Sequence, residues 1–180
     1  MVFTVSLLGF AYIFTGPEWL TIIHGMLLGG LFVVALAGTL VGLSALRPGL
    51  LTPEGRVRLE RALQATAGLA LVAGWAVVLV GTLVIDPLFH GGSAPPAHFL
   101  ESYSGTVRWV TWAMPAKENL AWMSVILATA TAMPLLTRSE SMFTPTRART
   151  VVLVLLSVAL VFAGVAALLG VFLNKVGPIV

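Results

Sequence analysis

The sequence predicts an all-α integral membrane protein, built as a four-helix transmembrane bundle, and two observations predict this fold class. Of the 180 residues, 58% are hydrophobic and 9% are charged, and the mean hydropathy is +1.02. A water-soluble domain of this size has too much surface to hide so apolar a composition. The apolar residues also form four long runs, and about 20 such residues suffice to cross a bilayer. We therefore expect residues 1–180 to form a single membrane domain.

Helix-start and helix-stop signals bound the four spans. Proline favours the first helical position, and threonine before it favours capping of the helix N-terminus. Prolines stand before the four apolar runs, at Pro17, Pro53, Pro115 and Pro145. Turn residues follow the runs. The spans are predicted over about residues 19–46, 62–85, 118–136 and 150–173, with a long connection over 86–117.

Two further helices are predicted outside the spans. Residues 1–15 are apolar, but at about 1.5 Å per residue they are too short to cross a hydrocarbon core of about 30 Å. We expect an interfacial or re-entrant helix there, and its aromatic and leucine side chains are predicted to bind a partner: Phe3, Leu7, Phe10 and Phe14. Residues 97–112 are predicted to form an amphipathic surface helix, with Phe99, Tyr103 and Val107 on one face.

Arginine placement predicts the orientation of the bundle. The loops 47–61 and 138–149 carry most of the basic residues: Arg47, Arg56, Arg58, Arg61, Arg138, Arg147 and Arg149. Loops rich in lysine and arginine remain on the cytoplasmic side of a membrane. We therefore expect a multi-pass protein of the cell (inner) membrane. Both termini and the 86–117 connection would lie on the outer, periplasmic side.

Small residues in the first span predict where neighbouring helices approach. Helices in a membrane associate through close packing, so glycines spaced four residues apart favour contact between backbones. The first span has two such pairs, Gly25 with Gly29 and Gly38 with Gly42. These four glycines are predicted to pack against another helix.

The three histidines belong to the predicted outer layer. His24 is the one ionisable residue of the first apolar run, His90 follows the second run, and His98 opens the surface helix. An ionisable ring inside a span is costly, so a function and a partner are the default expectation. Because His24 lies near the outer boundary, its partner must come from the outer layer.

Three interpretations of these histidines remain open. In the first, no cofactor binds, and His24 has a backbone or side-chain partner such as Glu118. In the second, His24 and His98, or His90 in place of His98, hold a b-type haem between separate elements. In the third, histidines and carboxylates hold zinc or copper, although no ligand spacing for such a centre is recognisable. We expect no cofactor, with haem b as the alternative.

Several activities are excluded or disfavoured. The chain has no cysteine, which excludes disulfides and thiolate metal sites. No Gly-x-Ser-x-Gly or His-Glu-x-x-His pattern indicates a hydrolase. Transport is disfavoured because the predicted spans lack buried carboxylates and lysines. We therefore do not expect an enzyme.

The general design resembles the small four-helix membrane subunits that anchor or extend bacterial electron-transfer complexes. The resemblance implies a non-catalytic, accessory subunit of a respiratory or photosynthetic assembly. Its partners would be other membrane subunits and lipids, and not nucleic acid. The alternative is a single-haem b-type cytochrome or a quinone-linked redox subunit, with its outer-side site at His24 and His98.

Overall fold

A computed structural model describes residues 16–46, 48–91, 96–138, 142–143 and 147–173. This part of the chain is helical and contains no strand. Four helices are long and apolar enough to cross a membrane, which confirms the all-α prediction and indicates a multi-pass membrane protein. We call them the first to fourth spans: Trp19–Ser44, Pro53–His90, Trp109–Thr137 and Arg147–Leu173. The predicted N-terminal helix lies outside the described residues, with Phe3, Leu7, Phe10 and Phe14.

The four spans pack as an up-and-down bundle. Each span contacts the next one along the chain, and the first also contacts the fourth. Alanines line the shared core, among them Ala35, Ala70, Ala128 and Ala159, and their small side chains let the helices approach closely. The bundle has two distinct ends. We call them the His24 end, where the first and third spans begin, and the arginine end opposite.

The first span combines two helical geometries. An α-helix over Gly16–Ile22 widens into a π-helix over Ile23–Gly29 and returns to an α-helix over Gly30–Ser44. At Gly29, Gly38 and Gly42, an added Cβ would lie within 4 Å of a side chain of the second span. Gly25 differs from the prediction, since no heavy atom of the described residues would lie within 4 Å of its Cβ. Because it faces open space, Gly25 packs against no described helix.

The second span is longer than the predicted range of 62–85. It begins at Pro53, where Thr52 caps the helix by accepting a hydrogen bond of 3.1 Å from the backbone N–H of Gly55. The α-helix Pro53–Val80 continues as a π-helix over Gly81–Ile85 and as an α-helix over Asp86–His90. The predicted end at residue 85 is therefore wrong, because the helix continues past Pro87 to His90.

The π-helix Gly81–Ile85 explains why Pro87 does not end the second span. A proline lacks an N–H, and its ring collides with the carbonyl four residues earlier in a regular α-helix. Just before Pro87, the backbone N–H of Asp86 donates to the carbonyl of Gly81, which is the longer hydrogen bond of a π-helix. The helix thus passes the proline without ending.

The third span shows the same device at its start. It begins with a π-helix over Trp109–Ala113 and continues as an α-helix over Met114–Thr137, so the predicted start at residue 118 is wrong. Here the N–H of Met114 donates to the carbonyl of Trp109, immediately before Pro115. As a result, Lys117 and Glu118 lie inside the span.

The predicted surface helix over 97–112 is also wrong, because turns divide it. A short helix covers Pro96–Glu101, turns follow, and the next residues already belong to the third span. The Ser102 hydroxyl donates to the carbonyl of Phe99 at 2.7 Å, and the Thr106 hydroxyl donates to the carbonyl of Leu100. Such side-chain hydrogen bonds to the backbone compete with helix continuation.

At the arginine end, arginine side chains connect neighbouring elements of the bundle. The fourth span, Arg147–Leu173, begins close to the predicted residue 150. Its Arg149 donates to the carbonyls of Leu43 at 2.9 Å and Leu46 at 3.2 Å, which lie where the first span ends. Arg56 of the second span stacks on the ring of Phe143, 4.9 Å from its centre. The charged groups here therefore hold neighbouring elements together.

Candidate functional site

His24 lies in the π-helix of the first span, with its ring against Gly81 of the second span. A Cβ at Gly81 would lie 2.9 Å from Cε1, 3.5 Å from Nε2 and 3.7 Å from Nδ1 of His24. A side chain at position 81 would collide with the ring, so this contact requires glycine. The ring is hydrogen-bonded to the backbone of Val77, while its Nδ1 is buried with no hydrogen-bond partner among the described residues.

Both sides of this contact are π-helical. His24 lies within Ile23–Gly29 and Gly81 opens Gly81–Ile85. A third such segment, Trp109–Ala113, starts the third span at the same end of the bundle. π-Helices are rare and occur frequently at functional sites. In the part of the chain that the structure describes, all three lie at the His24 end.

Lys117 brings a cation into this end of the bundle. Its Cε would lie 3.6 Å from a Cβ at Gly170, so the aliphatic stem runs past a glycine of the fourth span. Its Nζ lies 3.9 Å from the sulfur of Met114, which is only a weak acceptor. Lys117 also interacts electrostatically with His24, Asp86 and Glu118. The ammonium group therefore links the first, second and third spans.

Two carboxyl groups complete the site. His90 Nδ1 lies 2.9 Å from Asp86 Oδ1, and these side chains are 48% and 37% exposed. Glu118 interacts electrostatically with Asp86 and with Lys117. We call these five residues the His24 cluster: His24, Asp86, His90, Lys117 and Glu118.

The structure changes two details of the sequence interpretation. Lys117, which the sequence interpretation did not single out, is the charged residue that acts electrostatically on His24, whereas Glu118 interacts with Asp86 and Lys117. Sequence reasoning missed Lys117 because it began the third span at residue 118. The apolar run Trp109–Met114 before Pro115 was the signal that the helix starts earlier. The third span therefore carries a lysine and a carboxylate at this end, which the sequence did not predict.

The geometry does not fit a haem held between His24 and His98. The Cε1 edge of the His24 ring lies against Gly81 and its Nδ1 is buried, so the ring packs within the bundle. His98 lies on the short helix Pro96–Glu101 with its side chain exposed. Among the described residues, no three histidine or carboxylate side chains form a group able to hold a metal ion.

Comparison with known proteins finds no family model, no curated protein and no solved structure that matches this chain. The chemistry of the His24 cluster itself defines what the site can do. Its ammonium group and imidazole donate hydrogen bonds, and its carboxyl pair takes up and releases protons. These groups lie at the end of an apolar bundle, where a ligand can approach from the lipid or from water.

Proposed function

We propose that the chain is a non-catalytic integral subunit of a larger respiratory or photosynthetic electron-transfer assembly. The observation that carries the proposal is the His24 cluster, which brings ionisable groups of three spans together at one end of an apolar bundle. Such groups within membrane spans are costly and are functional sites by default. The electron-transfer role rests on the architectural resemblance given above.

The cluster has hydrogen-bonding capacity that the described residues leave unused. Nδ1 of His24 has no hydrogen-bond partner among them, and the Lys117 ammonium group donates to the sulfur of Met114, which is a weak acceptor. An ammonium group has three N–H donors and is expensive to desolvate without acceptors. An oxygen acceptor from a neighbouring subunit, or from a ligand that such a subunit shares, would satisfy Lys117.

Purification of the tagged protein from its native membrane tests the subunit proposal. The chain itself has a mass of 19.0 kDa. In a mild detergent we expect a stable complex of larger protein mass, with redox cofactors carried by the other subunits. A tagged, unrelated four-span protein from the same cells is the control. A monodisperse monomer that carries its own pigment would overturn the proposal.

A quinone-linked redox subunit is the second candidate, and the carboxyl pair favours it. Reduction of a quinone takes up protons, and the carboxyl groups of Asp86 and Glu118 interact electrostatically with each other and with the Lys117 donor. We expect a short-chain quinone to bind the purified protein, and Lys117→Met to weaken this binding about tenfold or more. The exposed His98→Gln variant at the same end is the control. Equal binding by all three proteins would exclude the candidate.

The absence of haem is a prediction with a direct spectroscopic test. We expect a featureless reduced-minus-oxidised spectrum of the purified chain, because the His24 ring edge faces Gly81. His24→Ala should then reduce stability or assembly only. A b-type spectrum that disappears in both His24→Ala and His98→Ala would show that these two histidines hold a haem b, contrary to our expectation. A spectrum that survives His24→Ala would contradict both versions of the site.

Cysteine labelling tests the proposed orientation, with the His24 end on the periplasmic side. Since the chain has no cysteine, Ser102→Cys reports the His24 end and Glu54→Cys the arginine end. Both positions are exposed. On intact cells, we expect an impermeant maleimide to label Ser102→Cys, and to label Glu54→Cys only after lysis. Labelling of Glu54→Cys alone would reverse the orientation.

A further inference from the structure

A cavity at the start of the third span lies outside the His24 cluster. Its volume is about 240 Å³, and the residues that line it are Gly105, Arg108, Trp109, Trp112 and Ala113. The lining is mainly apolar and consists of one arginine, two tryptophans and two small residues. The cavity therefore offers a cation beside an apolar wall.

The cation in this cavity has no partner in the described part of the chain. No hydrogen bond or ion pair joins Arg108 to a described residue, whereas Arg149 and Arg56 at the other end have defined contacts. Trp109 is fixed by packing against Phe172 of the fourth span, with ring centres 6.0 Å apart. The Trp112 side chain is 71% exposed. The Trp109 indole is thus fixed by packing, whereas the Trp112 indole is accessible to a ligand.

The position of the cavity favours a lipid headgroup. The cavity lies where a membrane-spanning helix begins, and tryptophans are enriched at the headgroup level of membranes. The positive end of the helix dipole also favours an anion at this position. Gly105 opposite leaves space, because a Cβ there would meet no heavy atom within 4 Å among the described residues.

We propose that this cavity binds the phosphate headgroup of an anionic phospholipid. Arg108 would hold the phosphate through its planar N–H donors, and Trp109 and Trp112 would line the glycerol and upper acyl region. A zwitterionic lipid carries a second, positive group that Arg108 repels. The site is therefore selective for lipids with net negative charge, and it is independent of the proposed function.

Fluorescence quenching by brominated lipids tests the proposal on the full-length protein. The chain is reconstituted in phosphatidylcholine vesicles to which a brominated lipid is added. This lipid is either phosphatidylglycerol or phosphatidylcholine, and in both cases the bromine is on the upper acyl chain. We expect brominated phosphatidylglycerol to quench tryptophan fluorescence at a mole fraction roughly five-fold lower than brominated phosphatidylcholine requires. This factor corresponds to the attraction of an anionic lipid by one basic residue near the membrane surface. Equal quenching by the two lipids would overturn the proposal.

Variants locate the effect. Arg108→Gln should remove the lipid preference, and Trp112→Phe should remove most of the selective quenching. Gly105→Leu should block the cavity while leaving both of those side chains in place. Arg58→Gln is the matched control, because Arg58 is exposed at the arginine end and should leave the preference unchanged. Circular dichroism verifies the helical fold of each variant, and a preference that persists in the folded Arg108→Gln and Gly105→Leu proteins would refute the site.

Free phosphate distinguishes a lipid site from a general anion site. Because the apolar wall contributes to binding, millimolar inorganic phosphate should not reverse the quenching by brominated phosphatidylglycerol. Displacement of the lipid by phosphate at constant ionic strength would refute the assignment to a phospholipid.

Discussion

The two ends of the bundle use charged residues in opposite ways. At the arginine end, Arg149 donates to the carbonyls of Leu43 and Leu46, and Arg56 stacks on Phe143. A helix end leaves carbonyls without intrahelical partners, and a cation there satisfies them and the helix dipole. The charges at this end thus complete the fold.

At the His24 end, the ionisable groups interact with one another, and among the described residues the hydrogen bonds of the His90 and Lys117 side chains each lie within one span. Lys117 interacts with His24, Asp86 and Glu118, and the buried Nδ1 of His24 has no partner among the described residues. The described π-helices are also at this end. The arginine end therefore has the features of a structural contact between helices, which we call a structural joint, and the His24 end has those of a functional site.

The largest expected effect of a single substitution is at the arginine end. Arg149→Ala removes both donors from Leu43 and Leu46, which are 0% and 2% exposed, so their carbonyls lose partners in a buried environment. An unsatisfied buried polar group costs about 1–3 kcal/mol. We expect the free energy of unfolding in detergent to fall by about 2–3 kcal/mol.

Two variants control for this loss. The exposed Arg147→Ala should change the free energy of unfolding by less than about 0.5 kcal/mol. The free-energy loss for Arg149→Lys should be intermediate, because the shorter lysine side chain does not place its ammonium group where Nη2 of Arg149 reaches both carbonyls. If Arg149→Ala is as stable as the wild type, the arginine end is not a structural joint.

The sequence predicts the arginine end better than the His24 end, and the reason is local. Thr52 and Pro53 form a standard helix start, and the structure shows the predicted cap. Pro87 indicated a helix end and Pro115 a helix start, but a π-helix before each proline lets the helix continue through both. Whether a turn widens before a proline depends on packing with neighbouring spans, which a single sequence does not contain.

The composition of the site was therefore only partly predictable. His24 could be found because it interrupts an apolar run, and its distance from the span start placed it near one boundary. Lys117 could not be found from the sequence, because its position inside the third span depends on the helix start at Trp109. The contact with Gly81 joins two spans far apart in sequence, so no local pattern indicates it.

A moderate effect is expected at the glycine that faces His24. Gly81→Ala places a Cβ 2.9 Å from Cε1 of a ring that is also hydrogen-bonded to the backbone of Val77. Overpacking of this kind costs about 1–3 kcal/mol, and the better helix propensity of alanine returns about 0.5–1 kcal/mol. We expect a net loss of about 1 kcal/mol in the free energy of unfolding.

Two glycines provide matched comparisons. At the arginine end, Gly42→Ala meets the end of the flexible Leu63 side chain at 3.0 Å, so the contact can relax and the net change should be near zero. Gly68→Ala meets no described atom within 4 Å and should stabilise the helix by about 0.5–1 kcal/mol. Equal changes at Gly81 and Gly42 would show that the His24 ring is not held rigidly.

The smallest effect is expected where the His24 cluster reaches the surface. His90 and Asp86 are four residues apart on one helix, 2.9 Å apart between Nδ1 and Oδ1, and partly exposed at 48% and 37%. Pairs of this kind contribute about 0.2–0.5 kcal/mol and are screened by salt. We expect His90→Gln to lower the free energy of unfolding by less than about 0.5 kcal/mol, with the difference vanishing in 1 M salt. A loss above about 1.5 kcal/mol that persists in high salt would mean that His90 is coupled to the buried part of the cluster. The His24 end would then be as much a structural joint as the arginine end, and the distinction between the two ends would fail.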